Sequence, residues 1–194
     1  MTTAYNKFYI NGEWVEPAGR ETIDVINPAT EEAFATISMG TAEDVDAAAK
    51  AARAAFPAWS QSSVEERKTV LQKIMAGIQA RAGDLASAIT SEMGAPVGLA
   101  NAAQVPSGLG HFAAVLPVLE NYKFQETRGS TLIVKEAAGV CGFITPWNWP
   151  LNQIACKVAP ALAAGCTIVL KPSEVAPINA YILAEIIDEC GLPP

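Results

Sequence analysis

The sequence predicts an α/β protein: an open, partial parallel sheet of Rossmann-like design with helices on both faces, preceded by β-hairpins and a helical segment. Three observations carry this expectation. Two short apolar runs, Val140 to Thr145 and Cys166 to Leu170, have the composition of strands buried on both faces, as in a parallel sheet. Between them, Pro150 opens a stretch of helical periodicity, which is the crossover that parallel strands require. Near the start, Asn11-Gly12 separates Phe8-Tyr9-Ile10 from Glu13-Trp14-Val15, a two-residue hairpin signal because both positions tolerate positive φ.

Taken in order, a second strand pair follows the first hairpin, Thr22 to Ile26 and Ala33 to Ser38, joined by Asn27-Pro28-Ala29-Thr30. Helices then dominate. Thr41 is an N-cap, and Val45, Ala49, Ala52, Phe56 and Trp59 recur at helical spacing, with Pro57 expected to stop the helix. Ser63 and Glu66 make a capping box for a second helix with Leu71, Ile74, Met75 and Ile78 on one face. A third carries Leu85, Ala88, Ile89 and Met93, and stops at Gly94. Leu99 to Tyr122 is helical in pattern, with breaks or kinks expected at Pro106, Gly108, Gly110 and Pro117. His111 sits there on an apolar face without an acidic or cysteine neighbour, and reads as a core or interface histidine. Lys123 to Thr127 and Thr131 to Glu136 form another hairpin around Arg128-Gly129-Ser130, one that must pack on something to be stable. In the crossover helix, Leu151, Ile154, Ala155, Val158 and Leu162 share a face, Pro160 should bend it and Gly165 should end it. A last helix, near Asn179 to Glu189, stops at Gly191.

Bulk properties narrow the function. Apolar residues are 51% of the 194 and charged residues 17%, which excludes a disordered chain. A net charge of -7 with no basic stripe argues against nucleic acid or an anionic membrane as partner. No run is expected to reach the length of a membrane span, and Met1 to Ile10 lacks the form of a signal peptide, so a soluble, cytoplasmic protein is expected. Cys141, Cys156, Cys166 and Cys190 are widely spaced, and only His111 could join them, so neither a metal site nor a disulfide framework is expected. Each reads as a small hydrophobe, Cys156 being the least unsuited to act as a nucleophile.

The chemistry-bearing residues cluster after the two apolar runs, where ligands bind in open parallel sheets. Asn148 can donate its amide to an oxyanion or can simply cap the Pro150 helix, and the residues alone leave both readings open. Glu174 and Lys171 can clamp the two hydroxyls of a ribose, the carboxylate repelling a 2′-phosphate, or can form a weak surface pair. The glycine fingerprint of dinucleotide-binding turns is absent, since Gly139 and Gly142 do not fit it, which weakens an ordinary Rossmann dehydrogenase.

Pro146-Trp147-Asn148-Trp149-Pro150, followed at this distance by Lys171-Pro172-Ser173-Glu174, resembles the aldehyde dehydrogenase superfamily. The likeness runs from the Tyr9-Ile10-Asn11-Gly12-Glu13-Trp14 hairpin to the last residue. It implies that Asn148 is the oxyanion donor and that Lys171, Ser173 and Glu174 belong to the cofactor site, with NAD favoured and NADP possible. Ile144, Thr145, Pro146 and Trp147 would add backbone and apolar cofactor contacts. Lys157, otherwise a snorkelling surface lysine, would be a proton-relay partner, and Trp149, Asn152, Gln153 and Cys156 would edge the substrate passage.

The resemblance further implies oxidation of an aldehyde to a carboxylic acid through a cysteine thiohemiacetal and thioester. It also implies a homo-oligomer, dimer or tetramer, assembled in part by the hairpin. Residues 1–122 would pack on the cofactor unit, 123–138 form the oligomerisation hairpin, and 139–194 begin the NAD(P)-binding unit. The family's cysteine nucleophile and glutamate base lie beyond these residues, so the expectation is an amino-terminal portion that is inactive alone. The competing reading is a catalytically inactive nucleotide-binding or assembly module of the same fold.

Overall fold

The computed structural model describes residues 2–193. Asn11 and Gly12 take φ of 57° and 74°, the left-handed pair that closes a tight hairpin between β2 (Phe8–Ile10) and β3 (Glu13–Val15). The second expected pair is also present, β4 (Thr22–Asn27) antiparallel to β5 (Glu32–Ser38), with a register shift between Val25 and Ile26. Strand β1 (Thr3–Tyr5), which no sequence pattern announces, adds to this sheet in parallel with β5. Three residues are too few to show a period, and each parallel partner lies 32 residues away.

The helices follow their caps more closely than their breakers. Helix α1 (Ala42–Ser60) begins at a Thr41–Asp44 capping box, as its N-cap predicts. Pro57 does not stop it. The proline and Arg53, whose carbonyl loses its helical donor, are both exposed, so water can satisfy that group, and buried Trp59 anchors the turn beyond. The expected apolar face is corrected in the first half of α1, where Val45 and Ala49 are exposed and Asp44 is buried.

Helices α2 (Val64–Ala80) and α3 (Ala82–Met93) bury Leu71, Ile74 and Ile78, and Leu85 and Ile89, as their periodicity predicts. Gly94 ends α3 at φ 80°. Helix α4 (Val97–Leu99), a π-helical stretch (Ala100–Gln104) and α5 (Val105–Asn121) follow without a gap. The π turns fall just before Pro106, where a helix must shift its hydrogen bonds around a missing N–H. The result corrects an expectation: Val97–Asn121 is 25 residues long and apolar enough to cross a membrane by length and composition. In this fold its Gly108 lies against Leu151, where a β-carbon would come within 2.6 Å of Leu151 Cγ, and Phe112 is fully buried.

Strands β6 (Gln125–Arg128) and β7 (Thr131–Val134) form the expected hairpin, although Arg128 belongs to the strand and pairs with Thr131, leaving Gly129-Ser130 as the turn. Leu132 and Val134 are exposed on it. The last third is β8 (Val140–Ile144), α6 (Pro150–Ala164), β9 (Thr167–Lys171) and α7 (Ile178–Asp188). β8 and β9 pair in parallel from Val140 opposite Thr167 to Ile144 opposite Lys171. They are not buried on both faces as expected: Gly142 and Ile144 are exposed, and β9 is half-buried. Among the described residues each strand has a single neighbour, so no third strand covers their edges. Helices do cover both faces in part. Thr167 Oγ1 donates to the Ala52 carbonyl of α1 at 2.8 Å, while Ile168 and Leu170, on the alternate face, pack on the main core.

Arg67 ties these helices together from inside. It is buried, and its guanidinium donates to Ser62 Oγ at 2.9 Å, the Ser60 carbonyl at 2.8 Å and the Ala163 carbonyl at 3.2 Å. It fills the space beside Gly165, where a β-carbon would meet it at 2.6 Å. Arg67→Ala would leave a void and two helix-terminal carbonyls without donors, and we expect a loss of roughly 2–4 kcal/mol. Urea unfolding midpoints measure this; a shift worth under half a kilocalorie would contradict it.

Candidate functional site

The ends of β8 and β9 lie side by side because Ile144 pairs with Lys171, and the Thr145 amide extends the ladder by donating to the Lys171 carbonyl at 3.2 Å. Everything that follows either strand therefore leaves the sheet at one edge. Thr145 itself is buried, so it can offer a ligand little beyond its backbone. Ile144 is 80% exposed and Trp147 51%, an unusual presentation of two large apolar groups within four residues of sequence.

The turn after β8 is strained. Trp149 has φ 56° and ψ 53°, a left-handed conformation that costs a bulky residue about 1–3 kcal/mol. Trp149, not Asn148, occupies the N-cap position of α6, and no side chain caps that helix. The plain capping reading of Asn148 therefore loses its support. Its side chain is exposed and hydrogen-bonds to none of the described residues. Pro150 at the first helical position has no N–H to satisfy, and the Gln153 amide makes the first helical bond, to Trp149 O at 2.9 Å.

After β9, Lys171 Nζ donates to Glu174 Oε2 at 2.5 Å. That hydrogen bond, with help from a backbone amide, holds the Glu174 carboxyl below its ordinary range despite some burial. Both side chains remain about half exposed. Ser173 differs from its neighbours: it is buried, and its Oγ accepts from the Val175 amide at 3.2 Å, which commits the hydroxyl to the turn. Lys171 and Glu174 also border a groove of about 460 Å³, walled by Trp14, Val45, Ala52, Leu170 and Tyr181. This groove explains the exposure of Val45, since the apolar stripe of α1 faces it.

The first turns of α6 hold the remaining candidates. Lys157 Nζ donates to the Gln153 carbonyl at 2.9 Å and to Gln153 Oε1 at 3.2 Å, with Cys156 Sγ at 3.5 Å, so it folds back on its own helix. Asn152 Oδ1 lies 2.7 Å from His111 Nε2 across the α5–α6 interface. That pair was not legible in sequence, because nothing near His111 hints at a partner on another helix. Trp149, Gln153 and Cys156 are half-buried. Among the described residues no cluster of three His, Cys, Asp or Glu side chains could hold a metal ion.

Comparison with known proteins bears on the family and the fold. A family model, the aldehyde dehydrogenase family, matches residues 14–194. The chain is 56% identical over 191 residues to a 3-succinoylsemialdehyde-pyridine dehydrogenase of Pseudomonas sp., covering 98% of this chain and 40% of that protein. Among solved structures, it superposes with a TM-score of 0.96 on an aldehyde dehydrogenase C mutant of Pseudomonas syringae complexed with NAD+ and octanal. That match is 50% identical and covers 97% of this chain and 39% of the other. An aldehyde dehydrogenase of Bartonella henselae gives a TM-score of 0.96 at 45% identity, covering 99% of this chain and 41% of the other. The chain thus spans about 40% of the length of the relatives it matches.

The Lys171–Glu174 pair makes its own prediction. In Lys171→Met the Glu174 carboxyl should titrate back toward its ordinary value, read by carbon-13 NMR, while global stability changes by less than about 1 kcal/mol. An unmoved Glu174 titration would mean the lysine does not govern it.

Proposed function

Since this chain belongs to the aldehyde dehydrogenase family, we propose that it supplies the oxyanion donor and the ribose-binding part of the cofactor site of an NAD-dependent enzyme oxidising an aldehyde to a carboxylic acid. The observation that supports this reading is the Ile144–Lys171 pairing, which sends the Asn148 turn and the Lys171–Glu174 turn off one sheet edge. Asn148, exposed and without a hydrogen-bond partner among the described residues, donates its amide to the oxygen of an aldehyde carbonyl as that oxygen gains charge. Glu174 accepts from the ribose hydroxyls and Lys171 donates to them, so NAD is preferred and NADP is admitted only when the carboxylate turns aside. Ile144 and Trp147 give the cofactor apolar surface, and Thr145 and Pro146 give it backbone. Bound NAD supplies the electron acceptor of the oxidation.

Trp149, Asn152, Gln153 and Cys156 edge the passage for the substrate. Lys157 serves as a proton-relay partner once it exchanges its Gln153 bonds for an acid from elsewhere in the complete enzyme. The nucleophile and the base also come from elsewhere. Cys166 and Cys190 are buried, and burial pushes the Cys141 and Cys190 thiols up, away from thiolate. Residues 1–122 pack on the cofactor unit 139–194, and the hairpin 123–138, with Leu132 and Val134 exposed, joins subunits into a dimer or tetramer in the cytoplasm.

A second reading applies to these 194 residues taken alone: nucleotide binding without turnover. It rests on the burial of Cys166 and Cys190 and on the raised Cys141 and Cys190 thiols. Adding aldehyde and NAD to the chain by itself should produce no reduced cofactor; appearance of its absorbance would reverse this.

In a complete enzyme carrying this segment, Asn148→Ala should lower kcat by about 10²–10³. Near-normal turnover would remove Asn148 from the reaction. Glu174→Ala should narrow the preference for NAD over NADP, read as the ratio of their dissociation constants. The pH dependence follows from the lowered Glu174 value. The carboxylate is charged above that value, so NAD affinity should stay level from pH 8 to about pH 5 and fall only below the ordinary glutamate range. A decline already complete at pH 6 would mean another group controls binding.

A further inference from the structure

We propose that Glu92, on α3, is a positioning residue for the ribose clamp, acting through the N-terminus of α7. The inference rests on reading Lys171 and Glu174 as that clamp.

Glu92 is 1% exposed, and no cation among the described residues pairs with it. Its neighbours are instead the first donors of a different helix. Oε2 accepts from the Ile178 amide at 2.5 Å, and Oε1 accepts from the Asn179 amide at 3.0 Å and from Asn179 Nδ2 at 2.7 Å. Helix α7 has no cap of its own, because its N-cap residue is Pro177, which offers no side-chain acceptor. Glu92 therefore caps α7 from outside, where a negative charge also meets the positive end of the helix.

The same cap reaches back toward the clamp. Asn179 Nδ2, held by Glu92, also donates to the Ala176 carbonyl at 2.8 Å. Ala176 and Ser173 are buried, so the segment from Pro172 to Pro177 is fastened at three places: the β9 ladder, the Ser173–Val175 turn and the Glu92–Asn179 anchor. Glu174 lies within the second and just ahead of the third. Its carboxylate can meet a ribose only if that short segment keeps one conformation, because every ångström of play weakens a two-point contact. Burial pushes the Glu92 carboxyl up to about 7, while its three donors favour the charged form. An acid tolerated in such a place must return something, and what it returns is the fixed position of the α7 start.

A signal existed in the sequence. Glu92 falls seven residues after Leu85 and three after Ile89, on the stripe that α3 turns inward. A carboxylate on an apolar stripe needs donors, and α3 has none free there.

Glu92→Gln keeps the shape and replaces one acceptor oxygen with an amide that faces a donor. We expect amide hydrogen exchange of residues 173–179 to quicken about tenfold or more, with the α2 core around Leu71 and Ile74 unchanged. NMR titration of the chain with NAD and with NADP should show the NAD preference reduced several-fold. Glu92→Asp, a shorter carboxylate, should restore part of both effects. Ile89→Val, a core loss on the same helix, should leave the preference intact.

Unchanged exchange at 173–179 in Glu92→Gln overturns the proposal, as does a loosened segment with an unchanged cofactor preference. An equal loss of preference in Ile89→Val also overturns it, since a general loosening would then suffice. If Glu92→Gln does not fold, the Asp variant carries the same comparison. A wild-type chain that binds neither nucleotide removes the clamp reading, and this inference with it. Binding that is indifferent to Glu92 removes this inference alone.

Discussion

Parallel pairing of β8 with β9 is the constraint on which the rest depends. Parallel strands cannot be joined by a tight turn, so the chain must cross over, and α6 is that crossover. The pairing aligns both carboxyl ends, and the register places Ile144 opposite Lys171. A slip by one residue would send Lys171 to the other face of the sheet and separate the two turns. Sequence distance is converted here into adjacency: the residues after Ile144 and those after Lys171 meet because a helix spans the gap between them.

A second theme is the use of buried charge to hold backbone rather than to pair with opposite charge. Arg67 donates to helix-terminal carbonyls of two other segments, and Glu92 accepts from the start of α7. Asp44 accepts from the Ala18 amide at 2.8 Å while closing the capping box of α1. Burial alone would raise the Asp44 carboxyl, but these hydrogen bonds outweigh it and hold it below its ordinary range. In each case a long polar side chain reaches backbone groups that secondary structure leaves unsatisfied. Such contacts settle how helices sit against one another more sharply than apolar packing does, because hydrogen bonds are directional and apolar contact is not.

Strain concentrates at the candidate site. Outside the turns of the amino-terminal strands, Trp149 is the one non-glycine with positive φ among the described residues, and it follows Asn148 directly. A left-handed tryptophan persists only when its surroundings over-determine it, and here Pro150 and the buried Leu151 lock the helix start that follows. The exposed Trp147 belongs to the same turn, and the exposed Ile144 ends the strand that enters it. Local comfort is given up there on several counts at once, as expected of a surface shaped for a ligand.

The features legible in sequence were those written in neighbouring residues. The Asn11-Gly12 hairpin, the capping boxes at Thr41 and Ser63, the left-handed stops at Gly94 and Gly165, the crossover from Pro150 and the two strand-end turns all arise from interactions within a few residues. Their physics is local, so the sequence determined them and, with them, which residues stand at the sheet edge. Only the tertiary structure decided that α1 continues past Pro57, that Val45 faces a groove, that Ser173 turns inward, that His111 meets Asn152, and that Glu92 caps α7. Each of these depends on whether water or a distant segment occupies the space beside the residue. No local pattern carries that information, because burial is a property of the assembled chain.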